Sequence, residues 1–83
     1  MTSKDAGGEG ETIFASNCGS CHTLSAAGTA GAVGPNLDEL QPSKALVVST
    51  VTNGKGAMPS FSSSLSSAEI DEVATYVSKN AGQ

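Results

Sequence analysis

The chain has no tryptophan, no arginine, one tyrosine (Tyr76) and two phenylalanines (Phe14, Phe61), so aromatic side chains make up 4% of its residues. Bulky core material is therefore scarce: 37% of the 83 residues are hydrophobic, while Gly, Ser and Ala are plentiful. This length allows one compact domain, and no internal repeat divides it. Domains of this size bury a modest share of their surface and usually add a disulfide, a metal or a cofactor. Something besides side chains is expected to fill the interior. The lack of arginine, with eight acidic residues against four lysines and a net charge of -4, removes the cationic surface that phosphate backbones require. Nucleic acid is not expected as a partner. The acidic residues are spread along the chain, which favours steering toward a basic docking partner. No apolar run approaches the ~20 residues that span a bilayer. Met1 to Gly10 is polar and lacks the apolar stretch of a signal peptide.

Local periodicity supplies the elements. Gly10, Ile13, Phe14 and Asn17 fall at i, i+3, i+4 and i+7, which predicts a short first helix over residues 9–17. From Gly19 to Pro35 the chain turns to Ser, Ala, Thr and Gly with neither a helical nor a strand period, and it reads as a long loop. A loop of that length in a compact domain ordinarily wraps something or carries function. Leu37 to Leu40 predicts a turn of helix. Ser43 to Asn53 predicts another, with Leu46, Val47, Thr50 and Val51 on one side and Gly54 as its stop. The β-branched residues in that stretch make a strand the competing assignment. After a second loop over residues 54–64, Ser66 and Glu69 form a capping box, with Leu65 and Ile70 in hydrophobic-staple position. Ile70, Val73, Ala74 and Val77 then define one apolar helix face. With no βαβ alternation and no hairpin signal, the class is all-α, with three to four helices joined by long loops. Residues 1–8 read as a flexible leader or an artificial end, and residues 9–83 as the domain.

Cys18-Gly19-Ser20-Cys21-His22 is a C-x-x-C-H, the attachment signature of c-type haem. Two thiols one helical turn apart can add to the two haem vinyl groups, and the next residue brings an imidazole beneath the iron. A disulfide, a thioredoxin-type redox pair and part of a zinc site are the competing readings. A thioredoxin pair wants a preceding strand in a βαβ setting. Zinc wants four ligands, and the chain offers Cys18, Cys21 and His22. His22 is the only histidine, which excludes bis-histidine ligation by this chain. Met58, the one methionine besides Met1, is the candidate for the second axial position. Its thioether is a soft donor suited to haem iron, and Met/His ligation raises the reduction potential. Filling a core gap is the ordinary use of methionine. Met58, however, lies in the loop Gly54-Lys55-Gly56-Ala57-Met58-Pro59, where Pro59 holds it extended. Lys44, Lys55 and Lys79 are the substitute ligands. The candidate site is thus Cys18, Cys21, His22 and Met58 for one covalent haem c, with His22 and Met58 on the iron and no catalytic residue.

This pattern resembles the class I cytochrome c family, especially its small bacterial and photosynthetic mono-haem members. The resemblance runs from about Gly10 to Val77. It is carried by Gly10 and Phe14, the C-x-x-C-H, Gly34-Pro35-Asn36-Leu37, Gly56-Ala57-Met58-Pro59-Ser60-Phe61 and Tyr76. It implies the cytochrome c fold, with helices and long loops wrapped around one haem. It implies further that the first and last helices cross at Gly10, which sets Gly10 and Phe14 against Val73 and Tyr76. The Pro35 carbonyl would accept a hydrogen bond from His22, in keeping with the acceptor that normally fixes a ligating imidazole. Two departures stand out: a short loop between His22 and Gly34, and the lack of the Arg and Trp that often hold the haem propionates in relatives. Lys55, Asn53 or backbone N–H groups are left for that task.

The expected function is one-electron transfer between redox partner proteins, through transient docking at the haem edge, by a monomer. An electron-entry domain cut from a larger membrane or periplasmic oxidoreductase is the alternative, and a haem enzyme or gas sensor in which Met58 leaves the iron is a further rival. Haem attachment points to the periplasm or another extracytoplasmic compartment, the thylakoid lumen included, with any signal segment outside this chain. Folding is expected to depend on the cofactor, which supplies part of the missing core.

Overall fold

The computed structural model describes residues 8–31 and 33–82. Residues 1–7 of the expected leader lie outside them, and Gly8 opens the first helix. The element order is α1 (Gly8–Asn17), β1 (Thr23–Leu24), a 3₁₀ turn (Ser25–Ala27), β2 (Thr29–Ala30), α2 (Leu37–Leu40), α3 (Lys44–Asn53) and α4 (Ser67–Asn80). Four α-helices among the described residues match the expected class.

Helix α4 is the best specified of them. The Ser66 hydroxyl accepts from the Glu69 N–H at 3.1 Å while the Glu69 carboxylate accepts from the Ser66 N–H at 2.8 Å, so two orphan donors of the first turn are satisfied reciprocally. Its buried face is Ile70, Val73, Ala74, Tyr76 and Val77. The predicted stripe is there, and Tyr76 widens it. Leu65 and Ile70 fall in one apolar cluster with Val51, as a staple requires. Helix α3 starts from the Ser43 cap, whose hydroxyl accepts from the Leu46 N–H at 3.1 Å. Its β-branched residues do not pull it into a strand, because Val51 and Val47 find partners on α1 and α4 that a helix can reach.

Helices α1 and α4 pack closely where Gly10 meets Tyr76. A Cβ on Gly10 would stand 2.6 Å from Tyr76 Cβ and 2.7 Å from the Glu72 carbonyl oxygen. One turn on, the Phe14 and Tyr76 rings lie with centroids 6.3 Å apart and planes tilted by 51°, a favoured aromatic arrangement. Phe14 and Val73 are each 1% exposed. Burial of a Phe side chain contributes about 2–3 kcal/mol. Val47 and Ile13 touch both this cluster and the one around Val51, so they join the two halves of the core.

The stretch from Gly19 to Pro35 departs from its reading as a loop without strands. β1 and β2 form an antiparallel pair with Thr23 opposite Ala30 and Leu24 opposite Thr29. Two residues a side are too few to show an alternating pattern, and much of the cohesion comes from one side chain. Thr29 Oγ1 donates to the His22 carbonyl at 3.0 Å and accepts from the Leu24 N–H at 3.1 Å. Gly28, at φ 72°, makes the left-handed turn that closes the pair. Leu24 is fully buried despite its polar neighbourhood.

Asp38 ties three segments together. Its carboxylate accepts from the Ser25 N–H and hydroxyl, each at 2.9 Å, and from the Gly82 N–H at 2.9 Å. The backbone N–H groups of Gly82 and Ser25, then the Ser25 hydroxyl, hold its carboxyl below the usual carboxylate range. Between α3 and α4, Lys44 pairs with Asp71 at 2.8 Å, an exposed bridge of little net worth.

Two outcomes follow. Gly10→Ala ordinarily favours a helix, yet here it is expected to destabilise by about 1–3 kcal/mol because the crossing is overpacked; a denaturant midpoint equal to or above the parent's would refute the close approach. Asp38 titrates lower in the folded state, so its stabilisation is complete above the unfolded carboxylate range and is lost as pH falls through the folded value. Asp38→Asn should therefore melt earlier than the parent at neutral pH and converge with it in acid. A pH-independent offset between the two melting curves would count against the clamp.

Candidate functional site

The C-x-x-C-H continues α1 as a tight turn. The Phe14 carbonyl accepts from both Cys18 and Gly19 N–H, at 2.8 and 2.9 Å, and the Cys18 carbonyl accepts from Cys21 and His22 N–H, at 3.1 and 3.0 Å. Spacings of i, i+3 and i+4 on such a turn bring Cys18, Cys21 and His22 to one side. All three line a cavity of about 400 Å³. Small residues let the following chain close over this turn. A Cβ on Gly31 would lie 2.6 Å from the Ser20 carbonyl, and the Gly34 N–H donates to the Cys21 carbonyl at 2.7 Å.

His22 is 9% exposed, and its Nδ1 lies 2.9 Å from the Pro35 carbonyl oxygen. A carbonyl oxygen only accepts, so Nδ1 carries a proton, and in the neutral ring Nε2 is the nitrogen that bears the lone pair. The expected bond between these residues is present. Gly34 packs on the ring itself: a Cβ there would meet Cε1 at 2.5 Å and Nδ1 at 2.8 Å. The imidazole is thus fixed by a hydrogen bond and by a backbone laid against it.

No disulfide joins Cys18 and Cys21. Burial, with the neighbouring Cys21 adding, pushes the Cys18 thiol up to about 11. A position that disfavours the thiolate suits a neutral thiol or a neutral thioether.

Met58 is half-buried and lines the same cavity. Its loop is pinned on both sides. Lys55 and Met58 exchange backbone hydrogen bonds at 3.0 and 2.9 Å around Gly56, which takes φ 59°. Gly54, at φ 76°, has no room for a Cβ between the Met58 carbonyl and Ser60 N. The Phe61 N–H donates to the Val51 carbonyl at 2.9 Å and the Ser60 hydroxyl to the Thr52 carbonyl at 2.6 Å, so the loop is tied to the end of α3. The remaining walls are mainly apolar and include Phe14, Leu37, Val47, Val51, Val73 and Val77. Two thiols, one imidazole and a thioether, set in apolar walls, are a set of groups suited to a haem.

The four predicted site residues therefore meet in one cavity. Of the groups left for the propionates, Lys55 lines it and Asn53 does not. Tyr76 is also outside the lining. Its hydroxyl is buried without a partner among the described residues, and burial, then the charge of Glu11, raises its pKa. The contact of Gly34 with the imidazole and the bracing by Thr29 were not foreseen. Gly34-Pro35 alone signals a turn, and nothing near Thr29 signals a structural hydroxyl.

Gly34→Ala should displace the His22 ring. The expected result is a lower yield of haem-loaded protein and a lower melting temperature, read from the visible band and by calorimetry. An unchanged yield and melting point would show that the ring is not seated on this backbone.

Compared with known proteins, residues 5–77 match the family model described as "Cytochrome C oxidase, cbb3-type, subunit III". The chain is similar to cytochrome c6 of Synechocystis sp., with 37% identity over 82% of this chain and 60% of that protein. It is also similar to the cbb3-type cytochrome c oxidase subunit CcoP of Cereibacter sphaeroides, with 39% identity over 83% of this chain but 26% of that subunit. The chain thus spans less than two thirds of either protein. Among solved structures it is similar to the c-type cytochrome SorU from Sinorhizobium meliloti, with a TM-score of 0.88, 45% identity and coverage of 96% and 95% of the two chains. Likeness of this extent in both sequence and fold, around a cavity that gathers two thiols and an imidazole, means that the chain belongs to the cytochrome c family, as a small class I member with one covalent haem c.

Proposed function

We propose that Cys18 and Cys21 hold the haem through two thioether bonds, that His22 and Met58 take its two axial positions, and that the chain carries single electrons between redox proteins. One observation supports this most: all four residues line the same apolar cavity, and the His22 Nδ1 is already committed to Pro35. When bound, the haem supplies the Fe(II)/Fe(III) couple. The Pro35 carbonyl orients the imidazole, holds the proton on Nδ1 and makes Nε2 a better donor. The bridged turn between Lys55 and Met58 presents the thioether from a backbone with little freedom. Apolar walls exclude water, which favours the less charged ferrous state and limits reorganisation on electron transfer.

If His22 and Met58 both hold the iron, no place would remain on it for a substrate, and no catalytic residue would be needed. Docking is then brief and small, below ~1,200 Å² of buried surface, and the protein works as a monomer. No helix among the described residues is long and apolar enough to cross a membrane. The periplasm or another extracytoplasmic compartment, the thylakoid lumen included, is the proposed location. A second reading, an electron-entry domain of a larger oxidoreductase, is favoured by the match to the oxidase-subunit model and by the 26% span of CcoP. The complete reading frame that encodes the chain separates the two.

Met58→Ala should remove the red charge-transfer band of sulfur-ligated ferric haem and let the ferrous protein bind carbon monoxide readily, while the parent stays inert. A parent that lacks the band, or a variant that retains it, would overturn the Met58 assignment.

A further inference from the structure

The C-x-x-C-H turn is gripped from outside the cavity by the short strand pair that follows it. Thr29 stands opposite Leu24 in that pair, and its side chain reaches both ends of the turn. Its Oγ1 donates to the His22 carbonyl at 3.0 Å and accepts from the Leu24 N–H at 3.1 Å. Its methyl lies against Gly19, where a Cβ would come within 2.7 Å of Thr29 Cγ2. Two residues on, Gly31 sits on the Ser20 and Cys21 backbone with no room for a Cβ, and its carbonyl accepts from the Thr23 hydroxyl at 2.9 Å. None of Gly19, Thr29 and Gly31 lines the cavity. The His22 ring is met by the Pro35 carbonyl and the Gly34 backbone. Its main chain is held separately: the N–H donates to the Cys18 carbonyl at 3.0 Å, and the carbonyl accepts from Thr29. Threonine suits this place because its branched Cβ is stiff at χ1. Seating the methyl on Gly19 therefore aims the hydroxyl at His22.

We propose that Thr29 is a positioning residue for His22: with its methyl seated on Gly19, its hydroxyl holds the His22 carbonyl and so keeps the imidazole on the iron. A ligand whose main chain is already fixed loses little freedom on binding, so its bond gains from preorganisation. Thr29 acts through the backbone, from outside the cavity, and complements the bond that Pro35 makes to the ring. This rests on His22 being an axial ligand, and not on which group takes the sixth position.

The test uses haem-loaded protein in a Met58→Ala background, with nitrogen-15 in its single histidine. Nitric oxide is bound to the ferrous iron, where it weakens the bond to the ligand opposite. Electron paramagnetic resonance of the adduct then shows coupling to the labelled nitrogen while His22 is bound and loses it when His22 has left. Thr29→Val keeps both branches of the side chain and removes the hydroxyl. It should raise the ratio of His22-free to His22-bound adduct about fivefold, the scale of one lost hydrogen bond. Thr29→Ser, which keeps the hydroxyl, should stay near the background ratio, and Thr29→Ala should follow Thr29→Val. The Ser and Ala pair repeats the comparison without the methyl if Thr29→Val fails to load haem. Thr23→Val removes the other hydroxyl bond of the strand pair. It should lower the melting temperature and leave the ratio unchanged. Equal ratios in Thr29→Ser and Thr29→Ala, an equal rise in Thr23→Val, or a background adduct already free of His22 would each overturn the proposal. Absence of labelled-nitrogen coupling from the ferric protein before nitric oxide is added would instead fault His22 as the ligand and take the proposal with it, so the two failures are distinguishable.

Discussion

The hydrogen bond between His22 Nδ1 and the Pro35 carbonyl, at 2.9 Å, is the constraint on which the site depends. It joins the turn at the end of α1 to the segment that leads into α2, and it decides which imidazole nitrogen faces the cavity. Its two sides are held separately. Behind His22, the Phe14 and Cys18 carbonyls collect the N–H groups of the C-x-x-C-H turn. Behind Pro35, Asn36 caps α2 by accepting from the Asp38 and Glu39 N–H groups, and Asp38 anchors α2 to Ser25 and Gly82. A carbonyl set by so many neighbours is a rigid acceptor, and rigidity at this distance is what fixes a ligand's tautomer and basicity.

The core is arranged around the cavity and not through it. One apolar cluster holds Phe14, Leu24, Leu37 and, from α4, Val73, Tyr76 and Val77, and the other holds Val51, Leu65 and Ile70. Ile13 and Val47 touch both, so each cluster is small and depends on the bridge. Val33, Leu40 and Leu46 are large apolar side chains left exposed, and all three line the cavity. Their exposure has the same origin as the scarcity of aromatics: the apolar surface of this chain is shaped for a flat hydrophobic cofactor as well as for itself.

Much of the site could be read from the chain itself. C-x-x-C-H is local chemistry, since five consecutive residues on one turn set two thiols and an imidazole together whatever surrounds them. The capping box at Ser66 and Glu69 is equally local, and α4 begins where it says. Met58 could be singled out as a candidate by elimination and by its Gly-rich setting. Whether Met58 shares a cavity with His22, which lies 36 residues earlier in the chain, is a matter of long-range packing that spacing cannot decide.

What the sequence determined alone was whatever depends on neighbours in the chain: helix starts, the apolar stripe of α4, the paired thiols and the absence of a second histidine. Tertiary structure decided the rest, because those contacts join residues whose separation carries no periodic signal. The Gly34 backbone against the imidazole, the Thr29 hydroxyl that bonds both His22 and Leu24, the Asp38 anchor and the choice of Lys55 over Asn53 at the cavity all belong to that second group. Each is a polar or small residue whose role is set by what the fold brings beside it, and composition gives such residues no mark.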